Sequence, residues 1–206
     1  MNSKYQNDLS HIRSMMEKSS SFISLSGLSG VFAGLVALIG AFVAHHLLTC
    51  HGIEYFSATG RVYTEDIVKK LFLIALTVLL LSLFFGIYFT VRKSKKHGLK
   101  IWNKVTRNLL LNLSIPLIAG GMFCLALISY RIHGFIAPSM LIFYGLALVN
   151  ASKYTYGDIR WLGYFEIIIG VIASFLIGYG LVFWALGFGI LHIIYGVLMY
   201  KKYDLN

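Results

Sequence analysis

Six long apolar stretches, separated by short polar segments, constrain the fold of this chain more than any other feature. They cover residues 27–48, 67–91, 108–130, 135–150, 161–179 and 182–200. A helix needs about 20 apolar residues to cross a hydrocarbon core of about 30 Å, and most of these stretches approach that length. The composition agrees, with 58% hydrophobic and 13% charged residues. The sequence therefore predicts an all-α fold, a polytopic membrane helix bundle with six transmembrane helices.

The whole chain, residues 1–206, is predicted to form a single membrane domain, because no polar stretch is long enough for a second one. Before the first span, apolar residues recur at three- and four-residue steps over residues 8–23. This pattern predicts an N-terminal amphipathic helix at the membrane interface. The alternative is that the segment is the solvated start of the first span. No cleaved signal peptide is predicted, because the polar opening segment is too long.

The distribution of basic residues predicts the orientation of the helices. Short cytoplasmic loops are enriched in Lys and Arg, and the segment 92–107 is strongly basic and contains no acid. If both termini are cytoplasmic, only four of the 18 Lys and Arg residues lie on the outer side: Arg61, Lys69, Lys70 and Arg131. Segment 92–107 is predicted to bind anionic lipids. No nucleic-acid partner is predicted, because no recognition element accompanies the basic cluster.

The last two spans contain the two ionisable residues predicted to lie inside the membrane, Glu166 and His192. Small residues recur at helical spacing on both spans: Gly163, Gly170, Ser174 and Gly178 on the first, and Ala185, Gly189 and Gly196 on the second. They predict a closely packed helical hairpin. With a turn near Leu181, the two ionisable residues are offset by about 6 Å along the helix axis, so a hydrogen bond between them through a group such as Tyr195 or water is possible and a direct one is not assured.

Two interpretations of Glu166 and His192 stay open. Ionisable side chains inside a membrane are costly and often functional, so the two residues are candidates for a proton-titrating pair or one wall of a small cavity. Asn108 and Asn112, on the third span with its helix-bending Pro116, are further intramembrane polar candidates. The structural alternative is that Glu166 extends to the cytoplasmic interface and that His192 is a neutral imidazole hydrogen-bonded between helices.

A second polar cluster lies at the outer end of the first span and contains His45, His46, Cys50 and His51. Imidazole and thiolate suit a transition metal, and His46 and Cys50 are one helical turn apart. Histidines at the end of a span also serve as polar anchors in the headgroup region. These four residues are therefore weak metal candidates. We predict no catalytic residue and no cofactor, and we interpret both cysteines, Cys50 and Cys124, as free thiols.

Two runs carry a resemblance to a known group of proteins. They are "IRSMMEKSSSFISLSGLSGVFAGLVALIGA" from Ile12 to Ala41 and "YGLVFWALGFGILHIIYGVLMYKKYD" from Tyr179 to Asp204. Both are similar to an uncharacterised family of bacterial six-span inner-membrane proteins, which implies location in the bacterial inner membrane. Sequences of this type are sometimes labelled beta-carotene monooxygenase, which implies an iron site built from several intramembrane histidines. Here only His192 lies deep within a predicted span, whereas His45 and His46 lie at the outer end of the first span.

Three functions are compatible with these features. The first is a non-enzymatic interaction, sensor or assembly protein that binds a membrane-protein partner or a second copy of itself; small-residue packing faces and short loops favour it. The second is a small transporter or proton-coupled channel that uses His192 and Glu166. The third is a metal-dependent membrane enzyme. We favour the first.

Overall fold

The computed structural model describes residues 25–53, 63–96, 98 and 101–205, and within them it is helical with no strand. The predicted interfacial helix 8–23 lies outside the described residues. Six helices follow one another: α1 Gly27–Cys50, α2 Glu65–Lys96, α3 Lys104–Ser129, α4 Ile136–Ala151, α5 Asp158–Phe175 and α6 Gly180–Tyr203. Short 3₁₀ turns, His133–Phe135 and Ser152–Tyr154, extend α4 at both ends. The prediction of an all-α fold is confirmed.

Five of the six helices are long and apolar enough to cross a membrane: α1, α2, α3, α4 with its flanking turns, and α6. The remaining helix, α5, has 18 residues and includes Asp158, Arg160 and Glu166, and it is not among the five. In a bilayer each span must satisfy its own backbone hydrogen bonds, which explains why every apolar stretch is helical. The fold is thus a helix bundle with several candidate transmembrane helices, and the count of six spans remains a prediction.

The turn between α5 and α6 lies earlier in the chain than predicted. Helix α5 ends at Phe175 and α6 begins at Gly180. Gly178, predicted to lie on a helical packing face, lies in the turn with a φ of 114°, a conformation that is costly for residues with a side chain. The predicted turn centre, Leu181, is already in the first turn of α6.

Helices α1 and α6 pack with their backbones in contact along a line of glycines. A Cβ atom on Gly34 would lie 2.6 Å from the carbonyl oxygen of Gly189, and one on Gly196 would lie 2.5 Å from the amide nitrogen of Val31. A Cβ atom on Gly27 would lie even closer to the backbone of Tyr200. Because these neighbours are backbone atoms, they have no rotamer with which to move away. We call α1 and α6 the first helix pair.

Helices α4 and α5 form a second pair of the same kind. A Cβ atom on Gly145 would lie 2.6 Å from the carbonyl oxygen of Gly163, and one on Gly163 would lie 2.7 Å from that of Gly145. A Cβ atom on Gly170 would lie 3.0 Å from the amide nitrogen of Ile142. The two helix pairs therefore each use close glycine packing, which permits dense van der Waals contact inside a membrane.

The predicted close packing of α5 against α6 is wrong. Gly163 and Gly170 of α5 face α4, while Gly189 and Gly196 of α6 face α1. Ser174 donates to the carbonyl of Gly170 on its own helix, at 3.0 Å. The physical reason is that both helices carry small residues that fit other helices, so neighbours in the chain do not form the tightest pair.

Helices α2 and α3 lie outside the two pairs and expose most of their apolar side chains. Phe84 and Ile87 of α2 are 61% and 64% exposed, and Ile115 and Ile118 of α3 are 66% and 65% exposed. A helix with so large an apolar surface is stable in lipid and not in water. Helix α2 packs on α1 through contacts such as Phe32 with Phe89, whose ring centroids are 4.9 Å apart.

One end of the bundle, which we call the basic end, is closed by a buried ion pair between Lys93 at the end of α2 and Asp204 just after α6. The Asp204 carboxylate also accepts hydrogen bonds from the Ser26 hydroxyl at 2.9 Å and the Gly27 amide at 3.0 Å. Asp204 thus caps α1 from the far end of the chain, which satisfies an amide that the helix itself cannot. Lys93 in addition donates to the Leu25 carbonyl at 3.0 Å.

Candidate functional site

Three polar side chains meet at the middle of three helices, and we call Glu166, His192 and Tyr144 the polar triad. Glu166 is eight residues from the start of α5, His192 twelve from the start of α6, and Tyr144 eight from the start of α4. At 1.5 Å per residue, each is about 10–17 Å from the nearest helix end. The triad joins the first helix pair, through His192, to the second, through Tyr144 and Glu166.

His192 has a partner for each of its ring nitrogens. Its Nε2 is 2.8 Å from the Tyr144 hydroxyl, and its Nδ1 is 3.0 Å from the Gly187 carbonyl oxygen. A neutral imidazole with its proton on Nδ1 satisfies both contacts, since it donates to Gly187 and accepts from Tyr144. The structural interpretation, an imidazole hydrogen-bonded between helices, thus matches these contacts, and no cavity is needed to explain the position of His192.

Glu166 differs, because its carboxyl group is fully buried and neither oxygen has a hydrogen-bond partner. The nearest ionisable atom is His192 Nδ1, 3.4 Å from Glu166 Oε1. An isolated carboxylate inside a low-dielectric region is strongly disfavoured, so the pair is most stable when it is neutral as a whole, and gain or loss of a proton makes it charged. Two arrangements meet this condition: a protonated Glu166 beside a neutral imidazole, or a carboxylate beside an imidazolium.

These two arrangements differ by the transfer of one proton over a short distance. The 3.4 Å separation is slightly longer than a hydrogen bond of 2.7–3.2 Å, so a small approach of the two side chains makes one. In the charged arrangement both ring nitrogens carry a proton, and transfer of the Nδ1 proton to Glu166 leaves a neutral imidazole that is protonated on Nε2 and donates to the Tyr144 hydroxyl. The triad can therefore hold a proton in either of two places.

The backbone around Gly187 accommodates the Glu166 carboxyl group. Residues Ala185–Leu191 of α6 form a π-helical segment immediately before His192, and such wider turns occur often at functional sites. A Cβ atom on Gly187 would lie 2.5 Å from Glu166 Oε2 and also collide with the Leu141 side chain. Gly187 is thus the position where α6 leaves room for the acid.

Replacing Gly187 by alanine is expected to displace the Glu166 carboxyl group and to destabilise the protein, although alanine normally favours a helix over glycine. The reason is that the added methyl group occupies the space of Oε2. Thermal unfolding in detergent, compared between Gly187→Ala and Gly121→Ala, measures the effect, since Gly121 has open space around it. Equal unfolding temperatures for the two variants would contradict the packing described here.

The sequence predicted two members of the triad and missed the third. Glu166 is buried, so the prediction that it extends to the interface is wrong, because residues from α6 enclose it at mid-helix. The two side chains approach each other directly, with Glu166 Oε1 3.4 Å from His192 Nδ1. Tyr195 does not bridge them; its ring packs near Phe165. A tyrosine in the middle of an apolar span was the available signal for Tyr144.

Asn108 and Asn112, the other polar residues predicted to lie inside the membrane, belong to a separate set of hydrogen bonds. Asn112 donates to the Asn108 carbonyl on its own helix at 2.8 Å, and Asn150 of α4 donates to the Asn112 carbonyl at 3.0 Å. These bonds join α3 to α4. Within the described residues, the structure connects Asn108 and Asn112 to each other and to Asn150, and not to the polar triad.

The histidine and cysteine cluster lies at the C-terminal end of α1, whereas the N-terminal end of α1 belongs to the basic end of the bundle. Cys50 Sγ is 3.6 Å from His46 Nε2, while His51 Nδ1 is 2.8 Å from the Leu47 carbonyl of its own helix. In the part of the chain that the structure describes, no three His, Cys, Asp or Glu side chains come together as metal ligands. Of the weak candidates His45, His46, Cys50 and His51, the His46 and Cys50 side chains lie in contact with each other.

Comparison with protein-family models, curated proteins and solved structures finds no match to this chain.

Proposed function

We propose that this chain is a non-enzymatic multi-pass membrane protein, a sensor or interaction protein, whose two helix pairs change their packing with the protonation of the polar triad. The observation that carries the proposal is the Glu166 carboxyl group, fully buried at mid-helix without a hydrogen bond and 3.4 Å from His192. An ionisable group in this position costs stability, which favours a functional role for it.

The packing supports a response to protonation. Within each pair the helices contact each other through backbone atoms at glycines, whereas the two pairs meet at the triad through long side chains. Contacts between side chains rearrange more easily than backbone contacts, because rotamers change without moving a helix. The boundary between the pairs is therefore the part of the fold most able to respond.

The proposed location is the bacterial inner membrane with both termini in the cytoplasm. Ser26 and Asp204 are hydrogen-bonded, so the two ends of the described chain lie at the same end of the bundle. Basic residues concentrate there, at the end of α2 and the end of α6. Such enrichment favours the cytoplasmic side and contact with anionic lipids along segment 92–107. A partner protein or a second copy remains part of the proposal.

The environment of Trp184 is expected to change with pH when Glu166 is present and not when it is absent. Trp184 packs on Phe188, at 5.3 Å between ring centroids, and Phe188 lies 6.0 Å from the His192 ring. In a protein with Trp102→Phe and Trp161→Phe, Trp184 fluorescence therefore reports on the triad. We expect a sigmoidal shift of the emission with pH that Glu166→Gln abolishes.

The matched control for this experiment is Glu65→Gln, which removes an exposed acid at the start of α2. It should leave the pH response of Trp184 unchanged. A response of the same size in the Glu166→Gln protein would show that the triad does not couple protonation to packing.

A proton-coupled transporter is the second candidate, and one specific observation favours it: the triad lies at the boundary between two rigid helix pairs, about midway along the helices. Rocking of one rigid unit against another around a central site is a common transport mechanism. Proteoliposomes that contain a pH-sensitive dye test it. Proton flux that depends on the protein and is lost in His192→Ala and Glu166→Gln supports transport; flux unaffected by both changes removes the triad from it.

A further inference from the structure

A shallow depression at the basic end has the features of a binding site that the polar triad does not explain. It has a volume of about 590 Å³ and lies where α5 begins and α6 ends. Arg160 and Lys202 provide its cationic side, and Trp161 and Tyr164 form an aromatic wall. Its charged residues on α5, Asp158 and Arg160, lie about 9–12 Å along the helix from Glu166, and Glu166 does not line it, so it is a separate site.

Both cations are held in place by hydrogen bonds. Arg160 Nε donates to the Ser152 hydroxyl at 3.3 Å, and Lys202 Nζ donates to the Asp158 carboxylate at 2.9 Å. The Tyr203 hydroxyl also donates to Asp158, at 2.6 Å. The guanidinium group has five N–H donors, so Arg160 keeps donors beyond its bond to Ser152, and the exposed ammonium group of Lys202 contributes a second positive charge.

The negative charge of Asp158 in this depression is balanced by a neighbouring cation. Partial burial raises the pKa of Asp158, but hydrogen bonds from Tyr203 and Lys202 outweigh it and hold the pKa below its usual value. Asp158 is thus ionised at neutral pH and balances Lys202. Arg160 provides the remaining net positive charge of the depression.

The aromatic wall continues into the exposed apolar surface of α5. Trp161 and Tyr164 are 59% and 40% exposed, and their rings meet edge to face with centroids 5.7 Å apart. Further along the helix, Phe165 and Ile168 are also exposed. Tryptophan and tyrosine prefer the depth of the lipid headgroups. The depression therefore opens towards the level where phosphate groups lie, with an apolar surface leading away from it.

We propose that this depression binds the phosphate group of an anionic phospholipid, with the first acyl chain along Trp161 and Tyr164. Arginine binds phosphate oxygens in pairs and lysine binds them as a point charge. The open shape and the adjoining apolar surface fit a lipid better than a soluble phosphate compound, which gains nothing from that surface. The site is distinct from segment 92–107.

Lipid competition measured by native mass spectrometry tests the proposal. The full-length protein is purified in a mild detergent and mixed with phosphatidylglycerol and phosphatidylcholine of identical acyl chains. We expect more phosphatidylglycerol to be retained, and we expect Arg160→Gln and Lys202→Gln each to lower this preference about fivefold. That factor corresponds to about 1 kcal/mol for one cation near an anionic headgroup.

Lys201→Gln is the matched control, because Lys201 is the neighbouring exposed lysine on α6 and does not line the depression. It should keep the wild-type preference, and circular dichroism should show that all variants remain helical. An equal loss in Lys201→Gln, or unchanged preference in Arg160→Gln, overturns the proposal. Displacement of phosphatidylglycerol by excess inorganic phosphate would identify a soluble anion as the occupant and would also overturn it.

Discussion

Replacing Asp204 by asparagine is expected to lower the free energy of unfolding by about 3–5 kcal/mol, the usual cost of removing one partner from a buried ion pair. The side chains of Lys93 and Asp204 are only 10% and 9% exposed. Without the carboxylate, the Lys93 ammonium group stays in a buried position with only neutral acceptors, the Leu25 carbonyl and the Tyr156 hydroxyl. A buried charge without a counter-ion is the main cause of the expected loss.

The loss should be larger for Asp204 than for Lys93. Asp204 also accepts from Ser26 and from the Gly27 amide at the start of α1, so its replacement weakens a helix cap as well. In Lys93→Met, the Asp204 carboxylate keeps both of these donors. Thermal unfolding of both variants in one detergent, followed by circular dichroism at a helical wavelength, compares them.

The exposed ion pair of Asp66 and Lys70 is the control for the buried one. These residues are four apart on α2, and their side chains are 67% and 44% exposed. Solvent and salt screen such a pair, so Asp66→Asn should change the unfolding temperature little. If Asp204→Asn also has little effect, the basic end of the bundle does not depend on its buried ion pair.

The helices followed from the sequence because the membrane leaves the backbone few choices. Each apolar stretch must satisfy its own hydrogen bonds, so its length and position predict a helix. The sequence did not predict which helix packs against which. Helices α1, α5 and α6 carry glycines at helical spacing and α4 carries the single Gly145, and the pattern alone does not show which helices fit together. The choice depends on the shapes of both surfaces.

The same limit explains what was missed at the polar triad. Glu166 and His192 were predicted because a charge in an apolar stretch is conspicuous, but their separation depended on the position of the turn at Gly178. Tyr144 has an apolar ring and resembles a packing residue until its hydroxyl is placed 2.8 Å from His192. Its role depends on the contact between two helix pairs, which are distant in the sequence.

Replacing Gly145 by alanine is expected to destabilise the protein by about 1–3 kcal/mol, the usual cost of overpacking. The added methyl group would lie 2.6 Å from the Gly163 carbonyl oxygen and 2.9 Å from the Ile167 amide nitrogen. Both are backbone atoms, so relief requires that α4 and α5 move apart. This cost should exceed the gain of about 1 kcal/mol that alanine gives a helix over glycine.

Gly86→Ala is the matched control, because a Cβ atom on Gly86 of α2 meets nothing within 4 Å. It should leave the unfolding temperature unchanged or raise it slightly. Gly34→Ala tests the first helix pair in the same way, since its methyl group would meet the Gly189 carbonyl at 2.6 Å. If Gly145→Ala and Gly34→Ala behave like Gly86→Ala, the close backbone contacts are not needed for stability.

The Gly145 variant also tests how the packing positions the triad. Tyr144 precedes Gly145 on α4 and Glu166 lies on α5, so separation of this pair moves both side chains relative to His192. Gly145→Ala is therefore expected to weaken the response of Trp184 to pH as well as stability, while Gly34→Ala, within the other pair, lowers stability and leaves Tyr144 and Glu166 together. A difference between the two variants in the pH response, at equal loss of stability, would show that the second helix pair positions the acid.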